Sequence, residues 1–172
     1  MENDALFVQF VTAGTFVIMS YLPLILLPSA AIERLWTYFY DAGAKMRPVW
    51  FVSVILTAAS FGYIQYFLQT TKHDHWWAMA LQSTFLVSAA QWSGWATAGA
   101  LRAPSNSDDP AYIAKRVAIG SVVATATASI GYFVYFVLYH NEATLVVAAA
   151  AIVMVHHVVL DAVIWSYGFN LR

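Results

Sequence analysis

The sequence contains no cysteine, which excludes disulfides, thiolate nucleophiles, iron–sulfur clusters and thiolate-bound zinc. Charge is almost as scarce. Only 10% of the 172 residues are Asp, Glu, Lys or Arg, against 61% that are apolar. That balance leaves too little polar surface for a chain wetted on all sides. The basic residues form no stripe and the net charge is -1, so nucleic acid is not an expected partner. No nucleophile elbow, Gly-rich phosphate loop or HExxH sequence occurs, and the usual hydrolase and nucleotide-binding signatures are therefore missing. The solvent that such a composition fits is lipid.

A helix needs about 20 mainly apolar residues to cross about 30 Å of hydrocarbon. Five segments meet that requirement, at residues 5–27, 48–68, 76–101, 117–139 and 143–169. The expected fold is all-α, one integral membrane bundle of five transmembrane helices occupying the whole chain as a single domain. Glu2 and Asp4 stand where a signal peptide would be positive, so residues 5–27 are read as a span. Arg34, Lys45, Arg47, Arg102, Lys115, Arg116 and Arg172 all fall in segments of one side, and Lys72 falls opposite them. The positive-inside rule then puts the N-terminus outside and the C-terminus in the cytoplasm.

Within the first inner loop, Ile32, Leu35, Trp36, Phe39 and Tyr40 repeat at helical spacing and make one apolar stripe. A short helix lying in the membrane interface is expected there. The second inner loop, residues 103–110, consists of turn formers and reads as coil.

Polar residues recur along two spans at three-and-four spacing: Trp50, Ser53, Thr57 and Ser60 on the second, and Thr84, Ser88, Gln91 and Trp95 on the third. Such faces turn toward other helices, either as contacts or as walls of a cavity. On the fourth span Gly120, Ala124 and Ala128 run beside Ser121, Thr125 and Ser129, a small-residue ladder suited to close helix packing.

The fifth span carries ionisable groups. His157 and Asp161 are four residues apart and so share a helical face, with Trp165 one turn further and His156 adjacent. A carboxylate inside the membrane costs about 2.5–3.5 kcal/mol on insertion scales, so it is normally turned inward, paired and functional. His157 and Asp161 are accordingly candidates for acid–base chemistry, for proton transfer, or for a structural pair that locks the bundle. Other spans offer no His, Cys or carboxylate at that depth, so a metal on this cluster needs ligands from elsewhere, such as Tyr, Gln82, Gln91 or a second subunit. Weaker metal candidates lie on the outer side, where His73 and His75 share one loop and His140 and Glu142 the next. With no Lys expected inside a span, a retinal Schiff base is excluded.

Two short segments bear a resemblance. Arg47-Pro48-Val49-Trp50 opens the second span, and Leu160-Asp161-Ala162-Val163-Ile164-Trp165 closes the fifth, with Trp92-Ser93 in the third. In these motifs, in length and in topology the chain resembles the TspO family of tryptophan-rich sensory or translocator proteins. It departs from the family in placing Asp161 where Asn is usual, in lacking a double proline after Trp50, and in its paired His156 and His157. The resemblance implies a helix-enclosed pocket for a tetrapyrrole, sterol or similar lipophile, with Trp50, Trp92, Trp95 and Trp165 as walls.

The function expected is therefore binding of a small lipophilic ligand (a tetrapyrrole such as haem, a sterol or a pigment) inside the bundle. His156, His157, Asp161, Trp165, Gln91, Trp92, Trp95 and Trp50 are the candidate ligand-binding residues. The alternatives are a membrane enzyme or proton-coupled carrier using His157 and Asp161, and an accessory subunit of a larger membrane complex or homo-oligomer.

Overall fold

A computed structural model describes residues 26–36, 46–71 and 76–170, together with shorter stretches between 5 and 22. All regular secondary structure among the described residues is helical. In chain order it comprises α1 (Ser29–Leu35), α2 (Met46–Thr70), α3 (Trp76–Ala100), α4 (Pro110–Tyr139), α5 (Thr144–Val155), a π-helical segment (His156–Trp165) and α6 (Ser166–Asn170). The last three run on without a break.

Three helices among the described residues are long and apolar enough to cross a membrane: Pro48–Thr70, Pro110–Tyr139 and Thr144–Phe169. Helix α3 fills the expected third span with 25 residues, but Gln82, Ser83, Thr84, Ser88, Gln91, Ser93 and Thr97 dilute its apolar character. Part of the expected first span lies outside the described residues, as do Phe39, Tyr40, Lys45, Lys72 and Arg172.

The start of α4 lies earlier than residue 117. Asp109 caps it, accepting from the Ala111 N–H at 2.8 Å, and Pro110 occupies the first turn, where a missing N–H costs nothing. The same carboxylate accepts from the Ser105 backbone at 3.0 Å and pairs with Arg102 at 2.7 Å, which ties the 103–110 loop together. The earlier start also draws Lys115 into the helix, where it is buried with its ammonium 5.1 Å from the Phe169 ring centroid. Lys115 is thus helical rather than in a loop, at the end of α4 remote from Tyr139.

Among the described elements, helices α3 and α4 make the most extensive contact. The buried side of α4 is Ala114, Ala118, Ser121, Val122, Thr125, Ser129 and Tyr132, and Thr125 donates across the interface to Ser88 Oγ at 2.9 Å. The small-residue ladder therefore packs through its hydroxyl side. A β-carbon added at Gly120 meets nothing within 4 Å. Gly99, by contrast, is required: an added β-carbon would lie 2.8 Å from Lys115 Cγ and 3.0 Å from the Lys115 backbone nitrogen.

Helix α1 is anchored by two adjacent residues at its end, Arg34 and Leu35. Arg34 donates to the Ala100 and Leu101 carbonyls, each at 2.7 Å, and so caps the C-terminus of α3 with a cation. The buried Trp165 indole donates to the Leu35 carbonyl at 3.0 Å. Leu35, Ala31, Trp92, Trp165 and Phe169 form one core cluster around this junction. A second cluster fills the far end, where Phe61 stacks on Phe85 at 4.9 Å and Tyr132 stands edge-on to both.

Candidate functional site

The π-helical segment coincides with the ionisable residues expected to matter. An α-helix advances about 100° per residue, so positions i and i+5 point about 140° apart. His156 and Asp161 would then diverge. The wider π-helical turn, with its i→i+5 hydrogen bonding, brings them back onto one face. The Ser166 N–H bonds to the Asp161 carbonyl in this pattern, and the Ser166 hydroxyl reaches the same oxygen at 3.3 Å. π-Helical turns are rare and concentrate at functional sites.

Both imidazoles consequently face a single carboxylate oxygen. Asp161 Oδ2 lies 2.9 Å from His157 Nδ1 and 3.4 Å from His156 Nε2. Two further polar atoms of the cluster, Asp161 Oδ1 and His156 Nδ1, are held from α2. The Trp50 indole N–H reaches Asp161 Oδ1 at 3.4 Å, and Ser53 Oγ lies 2.8 Å from His156 Nδ1. Aromatic rings close the site: Phe85 stands edge-on to His157 at 4.9 Å, and Trp36 edge-on to Trp50 at 4.6 Å. The His156 and His157 side chains are 5% and 14% exposed, and that of Asp161 is 21% exposed.

The helices meet in a staggered way. His156 stands halfway along Thr144–Phe169, yet it touches Ser53, near the beginning of Pro48–Thr70. Asp161 and Trp50 pair one turn closer to that end, beside the close of α1.

Of the residues expected at the site, His156, His157, Asp161 and Trp50 are brought together. Trp165 serves elsewhere: its N–H is taken by Leu35, and its ring packs against Phe169 at 4.6 Å and Trp92 at 5.4 Å. Trp92 is buried in that packing, whereas Gln91 and Trp95 are exposed on α3. His140 lies at the opposite end, with Nε2 3.3 Å from the Tyr135 hydroxyl, and Glu142 is exposed. His73 and His75 lie outside the described residues.

Ser53, Phe85 and Trp36 complete the site without having been singled out for it. Ser53 carried a usable signal, since it sits one turn from Trp50 on the polar face of the second span. Phe85 and Trp36 carried none, being two aromatics among many.

Among the described residues, His156, His157 and Asp161 are the one group of three potential metal ligands, with donor atoms all within 4.8 Å of one another. No protein-family model matches the chain, and neither a curated protein nor a solved structure matches it.

Proposed function

We propose that the chain is a five-span integral membrane protein that binds a small, mostly apolar ligand in its bundle, with the polar end of that ligand held at the His156–His157–Asp161 centre. The observation that carries this reading is the convergence of two imidazoles on one partly buried carboxylate oxygen. A carboxyl group inside a membrane helix is expensive unless it is used. Trp50, Trp36 and Phe85 supply the apolar walls that such a ligand needs beside a few fixed polar groups. In this reading residues 5–27 and 76–101 supply the remaining spans, α1 lies in the cytoplasmic interface, and the C-terminus is cytoplasmic. Arg34, Arg102 and Lys115 support that orientation by gathering at one end of the bundle, around the close of α3.

The test is a titration of the purified full-length protein in detergent with protoporphyrin IX, cholesterol and β-carotene, read by tryptophan fluorescence. At least one class gives saturable binding that Asp161→Asn weakens tenfold or more, while the far-UV circular dichroism of the variant stays helical. No saturable binding by any of the three, or equal binding by the variant, contradicts the proposal.

A second reading, a proton-coupled carrier, is favoured by one polar atom on α2. Thr57 Oγ1 is buried and has no hydrogen-bond partner among the described residues. Such an orphan marks a place where water or a translocated species is accommodated. Proton uptake by reconstituted vesicles, abolished by Asp161→Asn, would identify this activity.

A further inference from the structure

We infer that the His156–His157–Asp161 centre is a mononuclear binding site for a divalent transition-metal ion. The inference rests on the ligand-binding reading of the same centre and names the species that occupies its polar end.

Sequence spacing alone argues against a metal, because an α-helix directs only two of these three side chains to one side. The π-helical turn removes that objection by presenting three donors from one segment. First-row metals bind imidazole nitrogen and carboxylate oxygen at about 2.0–2.2 Å, which sets neighbouring donors in a tetrahedral site about 3.3–3.6 Å apart. The separations of Asp161 Oδ2 from His156 Nε2, 3.4 Å, and from His157 Nδ1, 2.9 Å, already bracket the lower edge of that range. The third separation needs only a small closing movement from within 4.8 Å.

The surroundings have the organisation that metal sites use. A ligating histidine is normally fixed through its second ring nitrogen, and a ligating carboxylate through its second oxygen. Ser53 Oγ holds His156 Nδ1 at 2.8 Å, which leaves Nε2 to the metal. The Trp50 N–H holds Asp161 Oδ1 at 3.4 Å, which leaves Oδ2 to the metal. Two of the three atoms of the centre that do not converge, His156 Nδ1 and Asp161 Oδ1, thus have their own partners from α2.

For His157 to ligate through Nδ1, the proton it shares with Asp161 moves to Nε2, so the ring stays neutral and no net charge is created. Two neutral imidazoles and one carboxylate leave a divalent ion with a single net positive charge and at least one open position. That position is where the polar end of an organic ligand would coordinate. The donor set selects the metal: two nitrogens and one oxygen without thiolate suit zinc, cobalt or ferrous iron, and supply too few oxygens for magnesium or calcium. Haem iron is disfavoured at this centre, because a porphyrin ring leaves two opposite positions whereas these donors approach from one side.

Cobalt(II) chloride added to the metal-stripped, full-length protein in detergent tests the inference by visible absorption. One cobalt per chain should give an intense d–d band, displaced by an equivalent of zinc. Asp161→Asn and His157→Gln should each abolish the band or weaken affinity at least tenfold, and Ser53→Ala should weaken affinity about tenfold while keeping the band. His140→Gln and His73→Gln should leave it unchanged, which separates the centre from the outer loops. Should Asp161→Asn misfold by circular dichroism, Ser53→Ala decides. No stoichiometric band in the wild-type chain, or a band insensitive to Asp161, His157 and Ser53 alike, overturns the metal site. Saturable lipophile binding on the same preparation without a cobalt band overturns the metal alone and leaves the ligand-binding reading standing.

Discussion

Ser53 and His156, 103 residues apart in sequence, are joined by a 2.8 Å hydrogen bond between α2 and the π-helical segment. This contact fixes the orientation of a ring that is almost completely buried. Ser53→Ala removes the partner without changing the fold and strands His156 Nδ1. The expected cost is about 1–3 kcal/mol of stability, the penalty for an unsatisfied buried polar group, read by thermal unfolding in detergent. A variant as stable as the wild type would mean that the ring is free to turn.

The junction of α1 with the end of the chain depends on one N–H. Trp165→Phe keeps most of the ring packing against Trp92 and Phe169 and deletes the bond to the Leu35 carbonyl. A loss of about 0.5–1.5 kcal/mol is expected, concentrated locally: amide exchange in residues 29–36 should accelerate while α3 and α4 keep their protection. Because Trp36, which packs against Trp50, directly follows α1, binding at the centre should weaken along with it.

Asp109 supplies a pH dependence with a defined sign. The Ser105 and Ala111 backbone N–H groups, followed by the Ser105 hydroxyl and Arg102, hold its carboxyl below the ordinary 3.8. A depressed folded-state value means that its contribution is complete above the ordinary carboxylate range and is lost as pH falls through the folded value. Acidification below about 4 should therefore expose the 103–110 loop and fray the start of α4 before the bundle opens. Hydrogen exchange at Ala111 and Tyr112 should follow this, and Asp109→Asn should remove the dependence while keeping a weaker cap.

Much of this architecture was legible in residue order because span length and apolar periodicity follow from the thickness of hydrocarbon. The starts and ends of α2 and α3 fall within two residues of the segments read for them. The early start of α4 was signalled by Asp109-Pro110, but turn-forming composition argued for coil and obscured a cap. At the candidate site, helical spacing identified His157 and Asp161 as partners. It could not foresee His156 on the same oxygen, because that requires a π-helical turn, and no residue pattern specifies one. The family resemblance implies Trp165 as a wall of the pocket. Its N–H instead meets the Leu35 carbonyl, a tertiary contact that spacing within one helix cannot reveal.

The central claim, that the π-helical turn lies in the membrane with Asp161 turned inward, can be tested most directly by nitroxide labels. The absence of cysteine makes single substitutions clean. With the protein in lipid vesicles, labels at Val155→Cys, Val159→Cys and Val163→Cys, all exposed on the continuous helix Thr144–Phe169, should collide frequently with oxygen and rarely with a water-soluble nickel chelate. A label at Asp161→Cys should be shielded from both. Frequent nickel collisions at the three valine positions, or free oxygen access at position 161, would contradict the account.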